Sequence, residues 1–326
     1  MSSHQSIPRR QFLSRGTSCA AHLALAGALL PRALRTAWPG RSRGNVIARE
    51  PFGNLEHVAD NVWALISTPL GGDSTTVSNG GIIAGRNIVL AIEGFNRPQG
   101  AAWMAARARE LTGRWPTHVL VTHYHADHAN GVAGYLQNDE HPVLRTTSRT
   151  RDLVVERNIQ PADPNRVAAM KDVVVESSSD STVLDLGGRE IRLAPRDGHT
   201  DSDISVHLSD QNVVFCGDLF WNGMFPNYVD AIPTRLSTSA RALRGEAATT
   251  YVPGHGPIGR SADFDRYVSM IDEVEHGARS AYAAGTPSAD AAARFTLSPA
   301  LGEWTMFNKV FFQRAFDAWY RVLATK

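Results

Sequence analysis

Apolar residues along this chain come in two spacings. Short runs rich in Val, Ile, Leu and aromatic residues predict strands at residues 61–66, 82–85, 88–92, 117–122, 142–144, 189–195, 204–208, 212–216 and 249–252. Ser78-Asn79-Gly80-Gly81 and Arg86-Asn87 punctuate the early runs as turns. Helical spacing predicts helices at residues 98–111, 149–158, 164–172, 263–284 and 303–323, with a helix start at 131–136. In the last long helix Trp304, Phe307, Phe311, Ala315, Trp319 and Val322 fall roughly on one face, as expected of a helix packed on a sheet. Residues 38–56, which open with a stretch rich in Pro, Gly and Arg, read as a linker. The domain proper is expected to run from 57 to 326. No internal repeat or low-complexity stretch interrupts it.

The chemistry concentrates behind one of these strands. In Thr122-His123-Tyr124-His125-Ala126-Asp127-His128-Ala129-Asn130-Gly131, four side chains that can bind metal fall within six residues. The preceding run is buried strand and the following one begins a helix, so the cluster occupies a strand-to-helix loop. α/β folds place their chemistry there. His123 and His125, two residues apart, can point to one side, while Asp127 and His128 can point elsewhere. One stretch can therefore serve two ions. Imidazole and carboxylate donors together suit zinc, and also iron or manganese.

H-x-H-x-D-H after a strand resembles the metallo-β-lactamase fold superfamily, which includes glyoxalase II-like hydrolases and lactonases. Three further segments resemble that family in order: Asp197-Gly198-His199-Thr200, Gly217-Asp218 within Phe215-Cys216-Gly217-Asp218-Leu219-Phe220, and Pro253-Gly254-His255-Gly256-Pro257. Each follows a predicted strand, where a rigid element delivers the side chain. The resemblance implies a four-layer αββα sandwich with a two-metal site at one edge. It implies that His123, His125 and His199 hold one zinc, that Asp127, His128 and His255 hold a second, and that Asp218 bridges them. The family usually places an Asp where Glu93 stands, and Glu93 is expected to do the same supporting work. Its members carry a segment over the site, here residues 149–172, that shapes the substrate pocket. Asp203 either orients a ligand or bonds its own loop backbone.

Composition and charge narrow the partners. With 326 residues, 43% hydrophobic and 20% charged, the chain is an ordinary globular protein, so no staple is needed to hold its core. Residues 1–37 stand apart from it. Arg9-Arg10 precede Phe12-Leu13 and a short Ala/Leu-rich run, which resembles a twin-arginine signal for export of folded protein to the periplasm. That run is too short to span a bilayer, and Gly16-Thr17-Ser18 before Cys19 lacks the apolar residue of a lipid-anchor box. Residues 1–37 hold five Arg and no acid, so the +1 of the whole chain leaves about −4 for the remainder. A mildly acidic mature protein carries no footprint for nucleic acid or for an anionic membrane, which leaves a small-molecule substrate. Cys216 is then the one remaining thiol, read as a small buried residue rather than a nucleophile. His57, His141 and His276 read as surface residues, and His118 and His207 as satisfied strand histidines.

The resemblance implies a zinc-dependent hydrolase in which a metal-held hydroxide attacks an ester, lactone, thioester or amide carbonyl, with Asp127 orienting the nucleophile and moving its proton. A bridging Asp218 resembles glyoxalase II and the lactonases, whereas zinc β-lactamases usually carry Cys or Ser there. Two other outcomes stay open at this level: cleavage of β-lactams, and a mononuclear iron oxygenase resembling the persulfide dioxygenases. A non-catalytic protein that keeps the fold would have no use for a complete ligand set.

Overall fold

The computed structural model describes residues 44–136, 141–157 and 163–325; the twin-arginine segment lies outside the described residues. Thirteen strands form two sheets. The first, eight-stranded, contains β1 (Asn45–Glu50), β2 (Gly53–Ala59), β3 (Val62–Ser67), β4 (Gly80–Ala84), β5 (Val89–Ile92), β6 (His118–Leu120), β7 (Val143–Thr147) and β8 (Val174–Glu176), side by side in chain order. It is antiparallel as far as β5 and parallel from β5 to β8. The second, five-stranded, contains β9 (Thr182–Asp185), β10 (Glu190–Arg196), β11 (Asp203–Leu208), β12 (Val213–Trp221) and β13 (Thr250–His255), ordered β13-β12-β11-β10-β9. Only β12 and β13 run parallel in it.

Strand alternation builds the layers. Val62, Ala64 and Ile66 of β3 face the second sheet and pack with Leu193, Val206 and Phe215. Trp63 and Leu65 between them face outward, against Met104 and Ala108 of the helix Pro98–Thr112. On the far side, Val214, Cys216 and Tyr251 pack under Leu236 of the helix Pro233–Ala242 and Phe264 of the helix Ser261–Ala283. Three apolar clusters thus separate four layers, helix–sheet–sheet–helix. Each fully buried Val, Leu or Ile stabilises them by about 1.5–3 kcal/mol. Among the described residues no helix is long and apolar enough to cross a membrane.

Several expectations need correction. The stretch read as a linker is strand from Asn45 onward: β1 alternates exposed and half-buried side chains and pairs with β2, whose Leu55 is fully buried. Phe52 packs edge-on against Trp103, and Trp103 Nε1 donates to Glu50 at 3.0 Å, which ties β1 to the first helix. The C-terminal helix is shorter than its apolar stripe. It spans Val310–Leu323, and Asn308 Oδ1 accepts from the Val310 N–H at 3.0 Å, a start signal inside the expected helix. Trp304 and Phe307 therefore sit in irregular chain before it. In place of the helix start expected at 131–136, Val132–Leu136 form a short 3-10 helix after a one-turn helix, Ala126–Ala129.

Candidate metal centre

The loop after β6 and the ends of β12 and β13 meet at one edge of the sandwich. His123, His125, Asp127, His128, His199, Asp218 and His255 come together there, none more than 5% exposed. They sort into two groups. The donor atoms of His123, His125, His199 and Asp218 lie within 4.8 Å of one another, as do those of Asp127, His128 and His255. In the first, His125 Nδ1 is 3.2 Å from His123 Nε2 and 2.9 Å from His199 Nε2. Asp218 Oδ2 is 3.1 Å from His199 Nε2 and 3.8 Å from His123 Nε2. In the second, Asp127 Oδ2 is 3.2 Å from His255 Nε2 and 3.8 Å from His128 Nε2. The other oxygen of Asp218, Oδ1, faces this group, 3.1 Å from His128 Nε2 and 3.4 Å from His255 Nε2. The two carboxylate oxygens of one residue are thus divided between two ligand sets.

The residues fit a pair of divalent cations. Tetrahedral zinc with bonds of about 2.0–2.1 Å sets its donors roughly 3.3–3.4 Å apart, inside the range seen here. His128 Nε2, His255 Nε2 and Asp218 Oδ1 are buried and find no aligned hydrogen-bond partner, a costly arrangement that a shared cation relieves. Electrostatics agree. Burial works against charge on His128 and His255, yet Asp218 and its carboxylate neighbours outweigh it, raising His128 well above the usual histidine range and His255 to about 9. Burial would raise Asp218, but His128, His255 and His199 hold its carboxyl well below the usual range. The surplus of carboxylate charge around this group is what a divalent cation would balance.

Surrounding groups fix the donors. Glu93 Oε1 accepts from Thr122 Oγ1 at 2.6 Å and lies 2.9 Å from His128 Nδ1, so it does orient a ligand histidine. It does so from a positive φ of 79°, rare outside glycine. Asp203 accepts from the backbone N–H of His199 at 3.1 Å and of Thr200 at 3.0 Å, which settles its role as the brace of its own loop. Burial, partly opposed by His199 and Thr200, raises its carboxyl to about 7. His125 Nε2 lies 3.1 Å from Asp230 Oδ2, and Arg157 Nη1 donates to that same oxygen at 3.0 Å while stacking 4.4 Å over the Tyr124 ring. Asp230 and Arg157 had no motif to announce them. Nor did Ser78 and Asn79: Ser78 Oγ donates to the Asp127 carbonyl at 2.6 Å, and Asn79 Nδ2 donates to Pro253 and Gly256 carbonyls at 2.9 and 2.8 Å.

The other histidines among the described residues stay out of the site. His57, His141 and His276 are exposed; His118 Nδ1 lies 3.1 Å from Thr117 Oγ1 and His207 Nε2 lies 2.9 Å from Ser205 Oγ. Cys216 is fully buried, and burial pushes its thiol far up, which suits a core residue. The wall of the site differs from expectation. Trp221, Asn227 and Phe311 line the small cavity beside the donors, and among the described residues of 149–172 Arg157 reaches the site through Asp230 while Arg166 donates to Asn130 of the histidine loop. Trp221 stacks on the His255 ring at 4.0 Å.

Residues 94–255, from just past Glu93 to the last histidine of the cluster, match the family described as the Metallo-beta-lactamase superfamily. The chain belongs to this superfamily. Among curated superfamily-like relatives, a hydroxyacylglutathione hydrolase of Mesorhizobium japonicum is 30% identical over 162 residues, 49% of this chain and 56% of its own. A human acyl-coenzyme A thioesterase is 26% identical over 144 residues, 40% of this chain and 50% of its own. The chain thus spans about half the length of the curated relatives it matches. The metallo-β-lactamase fold recurs in a solved metallo-β-lactamase from Erythrobacter litoralis, with a TM-score of 0.56 and 19% identity over 69% of this chain and 99% of that one. A sec-alkylsulfatase from a Pseudomonas species superposes with a TM-score of 0.70 at 14% identity, covering 94% of this chain and 62% of that one. That overlap extends the shared architecture well beyond residues 94–255.

Proposed function

We propose that the protein is a dinuclear zinc hydrolase of ester, lactone, thioester or amide carbonyls, exported to the periplasm by its twin-arginine segment. The observation that carries the reading is the division of Asp218: Oδ1 faces His128 and His255, and Oδ2 faces His123 and His199. One carboxylate between two complete donor sets is the arrangement of the glyoxalase II-like ligand set. A mononuclear iron oxygenase has no use for the second set.

When bound, two zinc ions supply Lewis-acid polarisation of a substrate oxygen and bring the pKa of water to about 7. His123, His125 and His199 would hold one ion, and Asp127, His128 and His255 the other, with Asp218 shared. Asp127 is the proton carrier. Burial raises its carboxyl, but His128 and His255 outweigh this and hold it below the usual range, so it stands ionised beside the second group. Asp230 and Glu93 fix the rings of His125 and His128, and the buried walls keep bulk water away. The relatives named for acyl-coenzyme A and hydroxyacylglutathione make thioesters the first class to assay.

The test is metal content and turnover of the mature protein. Mass spectrometry should find two zinc ions per chain, and a panel of thioesters, esters, lactones and β-lactams should show turnover that a chelator abolishes and zinc restores. One iron per chain with oxygen consumption would assign the oxygenase chemistry, and absence of metal-dependent turnover across the panel would end the hydrolase reading.

A further inference from the structure

The donors are shut in. The cavity they share with Trp221, Asn227 and Phe311 is about 10 Å³, room for roughly one water molecule. Sites that take small-molecule substrates enclose about 300–1,000 Å³. A carbonyl compound therefore reaches the centre only when a wall moves.

The walls are unequal. On one side Arg157 is held by the Asp230 carboxylate and the Tyr124 ring. Beneath, Phe311, Ala315, Phe316 and Trp319 anchor the helix Val310–Leu323 in the largest apolar cluster. Between Gly302 and Asn308 the chain is irregular, and Phe307 is its one buried residue. The Phe307 ring lies 6.1 Å from both the His255 and the Trp221 rings. Two backbone bonds clip this stretch down, Thr305 N–H to the Gly223 carbonyl and Phe225 N–H to the Thr305 carbonyl, each 2.9 Å. Trp304 adds a stack with Arg266 at 5.1 Å. Gly302, at φ 69° and ψ −164°, sits at its upstream end in a conformation open to glycine. Phe307 joins the apolar cluster with Trp304 and Met306 half-buried against it, but one buried residue and a two-bond clip hold this stretch less firmly than the five buried residues hold the following helix.

We propose that residues 302–308 are a movable backing to the pocket wall that Trp221 and His255 form, hinged at Gly302, clipped at Thr305 and wedged by Phe307. Release of the clip swings Phe307 away from His255 and Trp221 and widens the cavity on the side of the second ligand set. How far it swings sets the size of acyl group admitted. The inference rests on the metal-centre reading above, since it takes the enclosed donors as the destination.

Thr305→Pro tests it, because proline removes the N–H that bonds Gly223. Phe307→Ala is the second variant, read in its place should the proline variant fail to fold. Both are compared with the parent, fully loaded with zinc, by the rate at which EDTA strips the metal. The expected result is stripping accelerated about tenfold or more at a retained far-ultraviolet spectrum. Across a series of thioesters of rising acyl length, KM should fall most for the longest. Stripping rates and chain-length profiles equal to the parent in a folded variant would overturn the proposal. Faster stripping without turnover of any substrate would keep the movable wall and remove the hydrolase reading instead.

Discussion

Asp230 Oδ2 lies 3.1 Å from His125 Nε2, and this contact decides which face of the ring looks at the metal centre. A proton on Nε2 leaves the Nδ1 lone pair turned toward His123 and His199. Burial would raise Asp230, but the bond to His125 and the Arg157 charge hold it far below the usual carboxylate range. The carboxylate therefore stays ionised, and its orientation is fixed from the other side by Arg157.

Replacing this carboxylate should act on the metal before the fold. Asp230→Asn keeps the shape but not the charge, and is expected to weaken metal affinity about 10- to 100-fold, the usual cost of losing a group that orients a ligand. Competitive titration against a chromophoric chelator measures this. Unchanged affinity would show that the His125 ring is held without Asp230.

Asp218→Asn is expected to lower turnover on the order of a hundredfold or more, about 3 kcal/mol of transition-state stabilisation, and to lose metal from the second group first. A helix cap, worth about 1 kcal/mol, would be the rival role for an Asp after a strand. Asp218 instead lies inside β12, whose nine residues are all buried, and the next helix starts at Pro233. Calorimetry and metal analysis together decide: two ions retained with a lowered melting point would refute the bridge.

Gly254 guards that carboxylate. A Cβ there would run into Asp218 Oδ1, and would sit 2.9 Å from the Asp218 nitrogen and 2.8 Å from the Gly217 carbonyl carbon. Gly254→Ala should therefore displace Asp218, costing about 1–3 kcal/mol in overpacking and most of the metal. Full zinc content in this variant would contradict the packing.

His207 offers a pH prediction away from the metal. Burial, then the charges of Arg192 and Arg196, lowers it to about 3, while a free ring titrates near 6.5. The unfolded chain thus binds the extra proton, so this contribution to stability is complete above pH 6.5 and is lost as pH falls toward 3. His207→Gln should show a smaller fall in melting temperature between pH 7 and 5 than the parent. Equal slopes would mean that the ring is solvated in the native state.

Replacing Arg9 and Arg10 together with Lys should leave the precursor in the cytoplasm. Fractionation tests this, and normal periplasmic accumulation of the double variant would dismiss the twin-arginine route.

The clustering at the site was legible because it is local. His123 to His128 is one loop, and His199, Asp218 and His255 each stand beside a strand whose apolar run is plain. Strand alternation likewise exposed β3 to β7 and β10 to β13, but not β8 and β9, which are three and four residues long and mostly exposed or half-buried. β1 escaped because it follows a stretch rich in Arg, Pro and Gly and gains its order from the hairpin with β2 on a half-exposed edge, Glu50 standing opposite Gly53. Asp230 and Arg157 escaped because 73 residues separate them and neither stands in a motif. The apolar stripe of the C-terminal helix told that one face is buried, but not that Phe311 borders the donors.

Asn79 binds the connection between β3 and β4 to the loop around His255, through Pro253, Gly254 and Gly256. Ser78 beside it holds the Asp127 carbonyl. A nascent chain that has emerged past His128 but not past His255 therefore lacks the third donor of the second group and the carbonyls that Asn79 binds. Completion of the second donor group is in this way postponed until the second sheet has closed on the first.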